Sequence, residues 1–305
     1  ATSIADFEKS LDELEKLEPK ATGIQPSFEP NKNIKACLFD IYGTLLISAS
    51  GDIDESTISE ENLYKALDYS GFLTMDKKTF HERGIGQKIL DRFKEAIKAH
   101  HVQKNNHHQI AYPEVDIREI WNNVLKTAWD NKWIKEPENG NLTEMIFIFE
   151  LLSNPVFPMP DMKEVIRQIN DSGRLLGIVS NAQFYTPVIM NYFLNGQQVE
   201  DSDQVIYFNP DLTVFSYKIG KAKPDHSLFT EVRNILETKY GIQANETIFV
   251  GNDMHKDIYA AAKAGFITVL FAGDQRSLRL KENLDAVKNT KPDYIITDLK
   301  QLFTI

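Results

Sequence analysis

The stretch Ala36-Cys37-Leu38-Phe39-Asp40-Ile41-Tyr42-Gly43-Thr44-Leu45 decides the fold. Four apolar residues run without alternation, as in a strand buried on both faces, and stop at a carboxylate. Gly43 then permits a tight turn. Runs of the same character recur at 175–179, 205–208, 248–250, 267–271 and 294–296. Helical spacing fills the gaps at 162–170, 185–194, 227–240, 258–263 and 278–287. Such alternation predicts an α/β fold, a Rossmann-like doubly wound parallel sheet with helices on both faces.

One connection breaks the rhythm. About 130 residues separate the first two strands, where a dozen or more suffice for a crossover. Most of that stretch reads helical, with stripes through Leu63 and Leu67, through Ile89, Phe93 and Ile97, and through Ile117, Ile120, Trp121, Val124 and Leu125. The expected organisation is an amino-terminal helix and linker at 1–33, an α/β core at 34–53 and 156–305, and an inserted all-helical domain at 54–155. The insert is expected to begin near Asp54 and end near Pro155, Pro158 and Pro160. The first segment repeats Ile4, Phe7, Leu11, Leu14 and Leu17 at helical spacing, and Pro19 is expected to end it.

Composition narrows the function. The 305 residues carry 34 basic and 44 acidic side chains, a formal charge of −10. Such a surface repels phosphate backbones and anionic lipid, so a small-molecule substrate is expected, with no nucleic acid and no membrane partner. The single cysteine, Cys37, cannot form an internal disulfide. The longest apolar run, 145–152, is far short of a membrane span and contains Glu150. The acidic amino terminus lacks a signal-peptide pattern, and a cytoplasmic location is expected. Oligomeric state leaves no trace in the sequence.

In open α/β sheets, ligands bind beyond the carboxyl ends of the strands. There the chain delivers Asp40, Tyr42 and Thr44; then Ser180 and Asn181; then Asn252 and Asp253, with Asp257 one turn on. Lys223 precedes Pro224 at the mouth of the helix that starts near Asp225. Carboxylates so gathered repel one another unless a cation pairs with them, which suggests a hard divalent metal.

These residues also carry a resemblance. Phe39-Asp40-Ile41-Tyr42-Gly43-Thr44-Leu45, Val179-Ser180-Asn181, Lys223-Pro224-Asp225 and Val250-Gly251-Asn252-Asp253-Met254-His255-Lys256-Asp257 resemble, in order, the four motifs of the haloacid dehalogenase (HAD) superfamily. The match spans about residues 34–300, with the helical insert in the position of a C1-type cap. The resemblance implies a hydrolase in which Asp40 is the nucleophile and forms a covalent aspartyl intermediate. Ser180 would bond the transferred group, and Lys223 would offset charge. Asp40, the backbone carbonyl of Tyr42, Asn252 or Asp253, and Asp257 would hold Mg²⁺.

Two departures pull in opposite directions. Phosphatases of the superfamily place a second Asp two residues after the nucleophile, to protonate the leaving alkoxide. Here that position is Tyr42, as in the dehalogenase branch, and a phenol is a poor base at neutral pH. Dehalogenases of the family work without Mg²⁺ and have a fourth motif depleted of acids, yet this chain keeps Asp253 and Asp257. A gapless alignment on Asp257 puts Asn252 at the usual first acid. Dehalogenation also asks for an arginine to receive halide, and Arg83, Arg92 and Arg118 are the candidates. The leading expectation is a Mg²⁺-dependent phosphatase of a small soluble metabolite. The alternatives are a metal-independent carbon–halogen hydrolase and a catalytically impaired ligand-binding member.

Other features read more plainly. His100, His101, His107 and His108 fall in a polar stretch expected to be a solvated loop. Trp121, Trp129 and Trp133 are expected to pack in the core, and Cys37 to be an inert buried thiol. Gly84-Ile85-Gly86 and Gly220-Lys221 lack the context of nucleotide-binding loops.

Overall fold

In the computed structural model, which describes residues 5–51, 58–136, 141–195 and 203–305, six parallel strands form one sheet. They are β1 (Ala36–Phe39), β4 (Leu175–Ser180), β5 (Thr213–Phe215), β6 (Thr247–Gly251), β7 (Ile267–Phe271) and β8 (Tyr294–Ile296). Their spatial order is β5-β4-β1-β6-β7-β8. Cys37 sits between Leu176 and Ile248 in register. The chain leaves β1 towards β4 and β5, then returns to β6 on the other side of β1. Asp40 therefore stands at the topological switch point, where such sheets bind ligands. All four residues of β1 are buried, which explains why its sequence is apolar throughout rather than alternating. Burial pushes the Cys37 thiol up to about 12, so it stays an unreactive thiol.

Two short strands outside the sheet, β2 (Leu46–Ser48) and β3 (Val156–Pro158), pair antiparallel, Leu46 against Pro158 and Ser48 against Val156. Everything helical in the insert lies between them: α2 (Glu60–Tyr69), α3 (Lys77–Glu82), α4 (Ile85–His107), α5 (Ile117–Asp130) and α6 (Asn141–Ser153). Trp121 is fully buried and stacks on Phe93, with ring centroids 4.3 Å apart. Trp129, by contrast, is exposed, and Trp133 lies beyond the end of α5 with Lys88 over its ring. The expected start of the insert at Asp54 lies outside the described residues.

The amino-terminal helix α1 (Ala5–Asp12) is shorter than Pro19 suggested, and Ile4 lies outside the described residues. Phe7 stacks on Phe147 of α6 with centroids 4.0 Å apart, so α1 packs on this chain's own insert. The remaining helices are α7 (Met162–Asp171), α8 (Tyr185–Asn195), α9 (Ser216–Ile219), α10 (Ser227–Tyr240), α11 (Ala260–Lys263) and α12 (Asp285–Lys288).

Three expectations are corrected. The run 205–208 is a turn, closed by the Phe208 amide donating to the Val205 carbonyl, with Tyr207 at φ +72°. Val205 and Phe208 are buried, but the strand beside β4 is the three-residue β5, whose brevity hid it. The run 278–287 is not a helix. Arg279 exchanges backbone bonds with Asn252 and Met254 instead, and this pairing overrides the local spacing. Only the single turn of α12 remains. Finally, His100, His101 and His107 lie in the last turns of α4 rather than in a loop.

Candidate active site

Asp40 follows β1 directly, and the chain turns sharply behind it. The Ile41 carbonyl accepts from the amides of Thr44, Leu45 and Leu46. Gly43 has φ +86°, and a Cβ there would lie 2.5 Å from Ser277 Cβ and 2.8 Å from Asn252 Nδ2. The turn thus needs glycine both for its conformation and for close packing on the loop after β6.

Lys223 is brought to this turn by the end of β4. Asn181 Oδ1 accepts from the Lys223 amide at 2.8 Å. The Lys223 ammonium then lies 2.9 Å from Asp40 Oδ1 and 2.5 Å from Asp257 Oδ1, with all three side chains almost wholly buried. The other oxygen of Asp257 accepts from the amides of Asn252 and Asp253. This requires Gly251, because a Cβ there would sit 2.5 Å from Asp257 Cβ. Burial and then the neighbouring Asp40 push the Asp257 carboxyl up, with Lys223 opposing. Burial works to lower the Lys223 ammonium, but Asp257 and Asp40 outweigh it and raise it.

Asp253 opens a wide helical turn over Met254–Tyr259, where Oδ1 accepts from the amides of His255 and Lys256. Its Oδ2 meets Lys281 Nζ at 2.6 Å. Burial raises the Asp253 carboxyl, yet Lys281 and the two amides hold it below the usual carboxylate range. Asp40, Tyr42, Asn181, Lys223, Asp253 and Asp257 line one cavity of about 20 Å³, with Asn252 and Lys256 completing it. That is room for about one water-sized occupant.

Not every expected residue reaches this cavity. Ser180 is fully buried and donates to the Asn181 carbonyl at 3.1 Å, so Asn181 rather than Ser180 lines the site. Thr44 is also fully buried and donates to Asn252 Oδ1 at 2.9 Å, while Asn252 Nδ2 donates to the Ser277 carbonyl. Thr44 acts by positioning Asn252. The Tyr42 hydroxyl bonds Thr186 Oγ1 at 2.8 Å, and burial pushes the phenol well above its ordinary value, so it stays protonated.

With these motifs at one sheet edge, the comparisons fall into place. A family model described as haloacid dehalogenase-like hydrolase matches residues 34–265. The chain belongs to this family. It is therefore a hydrolase of the HAD superfamily, and its sheet is the family's Rossmann-like core. No curated protein sequence matches it. Among solved structures, it is similar to a 2-haloacid dehalogenase from Pseudomonas syringae pv. Tomato DC3000, with a TM-score of 0.53 and 18% identity over 88% of this chain and 96% of that one. It is also similar to a predicted phosphoglycolate phosphatase from Haemophilus somnus, at TM-score 0.46 and 18% identity over 89% and 97% of the two chains. A HAD phosphatase from Thermococcus onnurineus gives TM-score 0.46 and 21% identity over 88% and 96%. At these identities the likeness concerns the fold alone.

A larger chamber of about 380 Å³ reaches the loops of this HAD hydrolase that carry Asn181 and Lys223. Ala182 and Ala222, the chain neighbours of Asn181 and Lys223, belong to its wall. The insert closes it by docking one segment on the strand-end loops. The Glu114 amide donates to the Gly220 carbonyl, and the Ala222 amide to the Tyr112 carbonyl. Gln183 clamps the same segment, accepting from the Ile117 amide and donating to the Val115 carbonyl, both at 2.9 Å. None of this docking was visible in the sequence.

None of the three candidate arginines lines the chamber. Arg83 and Arg92 are exposed on the insert. Arg118 pairs with Asp116 at 2.7 Å and lies over the rings of Phe184 and Tyr217, in a separate polar groove.

The chamber does hold Glu150, which sequence reasoning met only as a break in an apolar run. Its Oε2 accepts from the Tyr185 hydroxyl at 3.3 Å. Burial pushes its carboxyl up from 4.5 to about 7, with that bond opposing. Because the folded value lies above the unfolded one, the stabilising contribution is whole below about pH 4.5 and is lost as pH rises through 7. Glu150→Gln is expected to raise stability by about 2 kcal/mol at pH 8 and to leave it unchanged at pH 4. Denaturant titrations at the two pH values check this, and an equal shift at both would contradict it.

Proposed function

We propose that the protein is a phosphomonoesterase of small soluble metabolites, assisted by Mg²⁺, with Asp40 as nucleophile. The observation that carries this reading is that Asp253 and Asp257 share one cavity with Asp40. A metal-free carbon–halogen hydrolase needs Asp257 to hold Lys223 but has no metal for Asp253 to bind. Among the described residues, the chamber also offers no arginine to take a departing halide.

Among the described residues, no three or more His, Cys, Asp and Glu side chains form a ready-made metal cage. Mg²⁺ asks for less, since one or two carboxylates suffice alongside water and substrate phosphate. The donors here are hard oxygens and suit that ion. Asp40 and Asp253 would hold it, Asp253 through the Oδ2 that now faces Lys281, whereas Asp257 is tied to Lys223 and two backbone amides and Asn252 Oδ1 accepts from Thr44. Bound there, the ion would neutralise charge on the phosphoryl oxygens.

The protein's own residues carry the steps. The Asp40 carboxylate attacks phosphorus, forming an aspartyl phosphate as the ester bond breaks. Lys223 holds Asp40 in place and offsets the negative charge on nucleophile and phosphoryl group. Water then attacks the same phosphorus and releases phosphate and free Asp40. The helices α2–α6 serve as a cap that excludes bulk water, with the β2–β3 ribbon at its root.

Tyr42 cannot serve as the carboxylic acid found at its position in the superfamily's phosphatases. The leaving alkoxide must draw its proton from solvent. Turnover is therefore expected to depend steeply on the leaving group, with an aryl phosphate hydrolysed about 10²-fold faster than an alkyl phosphate. Equal kcat values for the two would show that a general acid has been overlooked.

Tyr42 also favours a second reading, a dehalogenase acting on a small haloacid. Two assays separate the readings. Aryl phosphate hydrolysis that requires Mg²⁺ and stops with chelator supports the phosphatase. Halide release from 2-haloacids in chelator, with no phosphatase activity, supports the dehalogenase. Silence in both, with a ligand that still raises Tm, points to a binding protein.

A further inference from the structure

The chamber walled by Ala182 and Ala222, the chain neighbours of Asn181 and Lys223, has an unusual charge. Its apolar wall includes Phe93, Ile97 and Ile117, and its ionisable side chains are Glu114, Glu150, His101 and Tyr185. No lysine or arginine lines it among the described residues. The stretches outside those residues, 1–4, 52–57, 137–140 and 196–202, contain neither residue type in the sequence. The cations lining the Asp40 cavity are Lys223, which pairs with Asp40 and Asp257, and Lys256, while Lys281 pairs with Asp253.

The two carboxylates differ. Glu114 accepts from the Ser216 hydroxyl at 2.8 Å and from the Val115 amide at 3.0 Å, bonds that hold the docked segment. Glu150 has only the long bond from Tyr185, and forms no ion pair among the described residues. It sits in α6 between Phe149 and Leu151, both buried. A carboxylate in such a place costs stability unless a cation or strong donor joins it. Tyr42 lines both the Asp40 cavity and the small apolar pocket that Glu150 also lines, so both carboxylates neighbour this one side chain.

We propose that the substrate is a phosphate monoester whose leaving alcohol carries an amino group, and that Glu150 recognises the ammonium. This rests on the phosphatase reading. The phosphate goes to Asp40 and Lys223, the carbon chain lies along the apolar wall, and the ammonium meets Glu150. A leaving group bearing a second anion meets two carboxylates and no cation, and is rejected. The chamber volume of about 380 Å³ suits a small metabolite of this kind.

Calorimetric titration of the full-length Asp40→Asn protein with Mg²⁺ tests this without turnover. The ligands are 3-aminopropyl phosphate, propyl phosphate and 3-phosphonooxypropanoate, which share a carbon chain length and differ in terminal charge. The amino ester is expected to bind about tenfold more tightly than propyl phosphate, and the carboxylate ester most weakly. Adding Glu150→Gln should remove the amino ester's advantage and leave propyl phosphate unchanged. Equal binding of the amino and propyl esters overturns the proposal, as does an advantage that survives Glu150→Gln. If a protein with an unchanged melting curve binds none of the three, the phosphatase reading itself falls, and the proposal with it.

Discussion

Asp40→Asn is expected to lower kcat by about 10⁴-fold or more while the chain stays folded. The reason lies in what the substitution changes and what it spares. An amide cannot displace an alkoxide from phosphorus, so the covalent route closes. The side chain keeps its shape, and its Oδ1 still accepts from Lys223, which retains Asp257 as its ionic partner. Removing the Asp40 charge also relieves Asp257 of a repulsive neighbour. Tm should therefore hold or rise slightly. A fall in activity accompanied by a matching fall in Tm would mean that Asp40 was a structural acid after all.

Lys223→Met is expected to be worse for the fold and as harmful to activity. Methionine replaces the stem but not the ammonium, leaving two buried carboxylates facing each other without compensation. Breaking a buried ion pair from one side costs about 3–5 kcal/mol. The sign of the pH dependence follows. In the unmodified protein the ammonium value is raised, so its contribution is whole below its unfolded value and is lost only as pH rises through the folded one, well above neutrality. In Lys223→Met the carboxylates are relieved only by taking up protons. The stability gap to wild type should thus narrow as pH falls towards 4. A gap that stays constant across this range would separate the lysine from both acids.

Much of this site could be read in the residues before any coordinates. The continuous apolar runs fixed where strands end, and the switch point in the sheet brings those ends together. That is why Asp40, Asn181, Lys223, Asp253 and Asp257 meet at one cavity. Their finer roles were hidden, because they depend on which partner each side chain finds. Ser180 turns to a backbone carbonyl, Thr44 to Asn252, and both oxygens of Asp257 are taken by the protein itself. Glu150 was hidden for a different reason. Its helix is apolar on nearly every side, so spacing gives no face, and only the docking of 112–117 beside Lys223 turns it towards a chamber. A charged residue interrupting an apolar run was the one available signal. The run 205–208 misled because a buried turn and a buried strand look alike in composition.

The account depends on Asp40 carrying the phosphoryl group in mid-reaction. Peptide mass spectrometry of the enzyme, acid-quenched during turnover of an aryl phosphate with Mg²⁺, tests that directly. The peptide containing Asp40 should gain the mass of a phosphoryl group, and the same peptide from Asp40→Asn should not. Phosphate release with that peptide unmodified, or with the group on another residue, would contradict it.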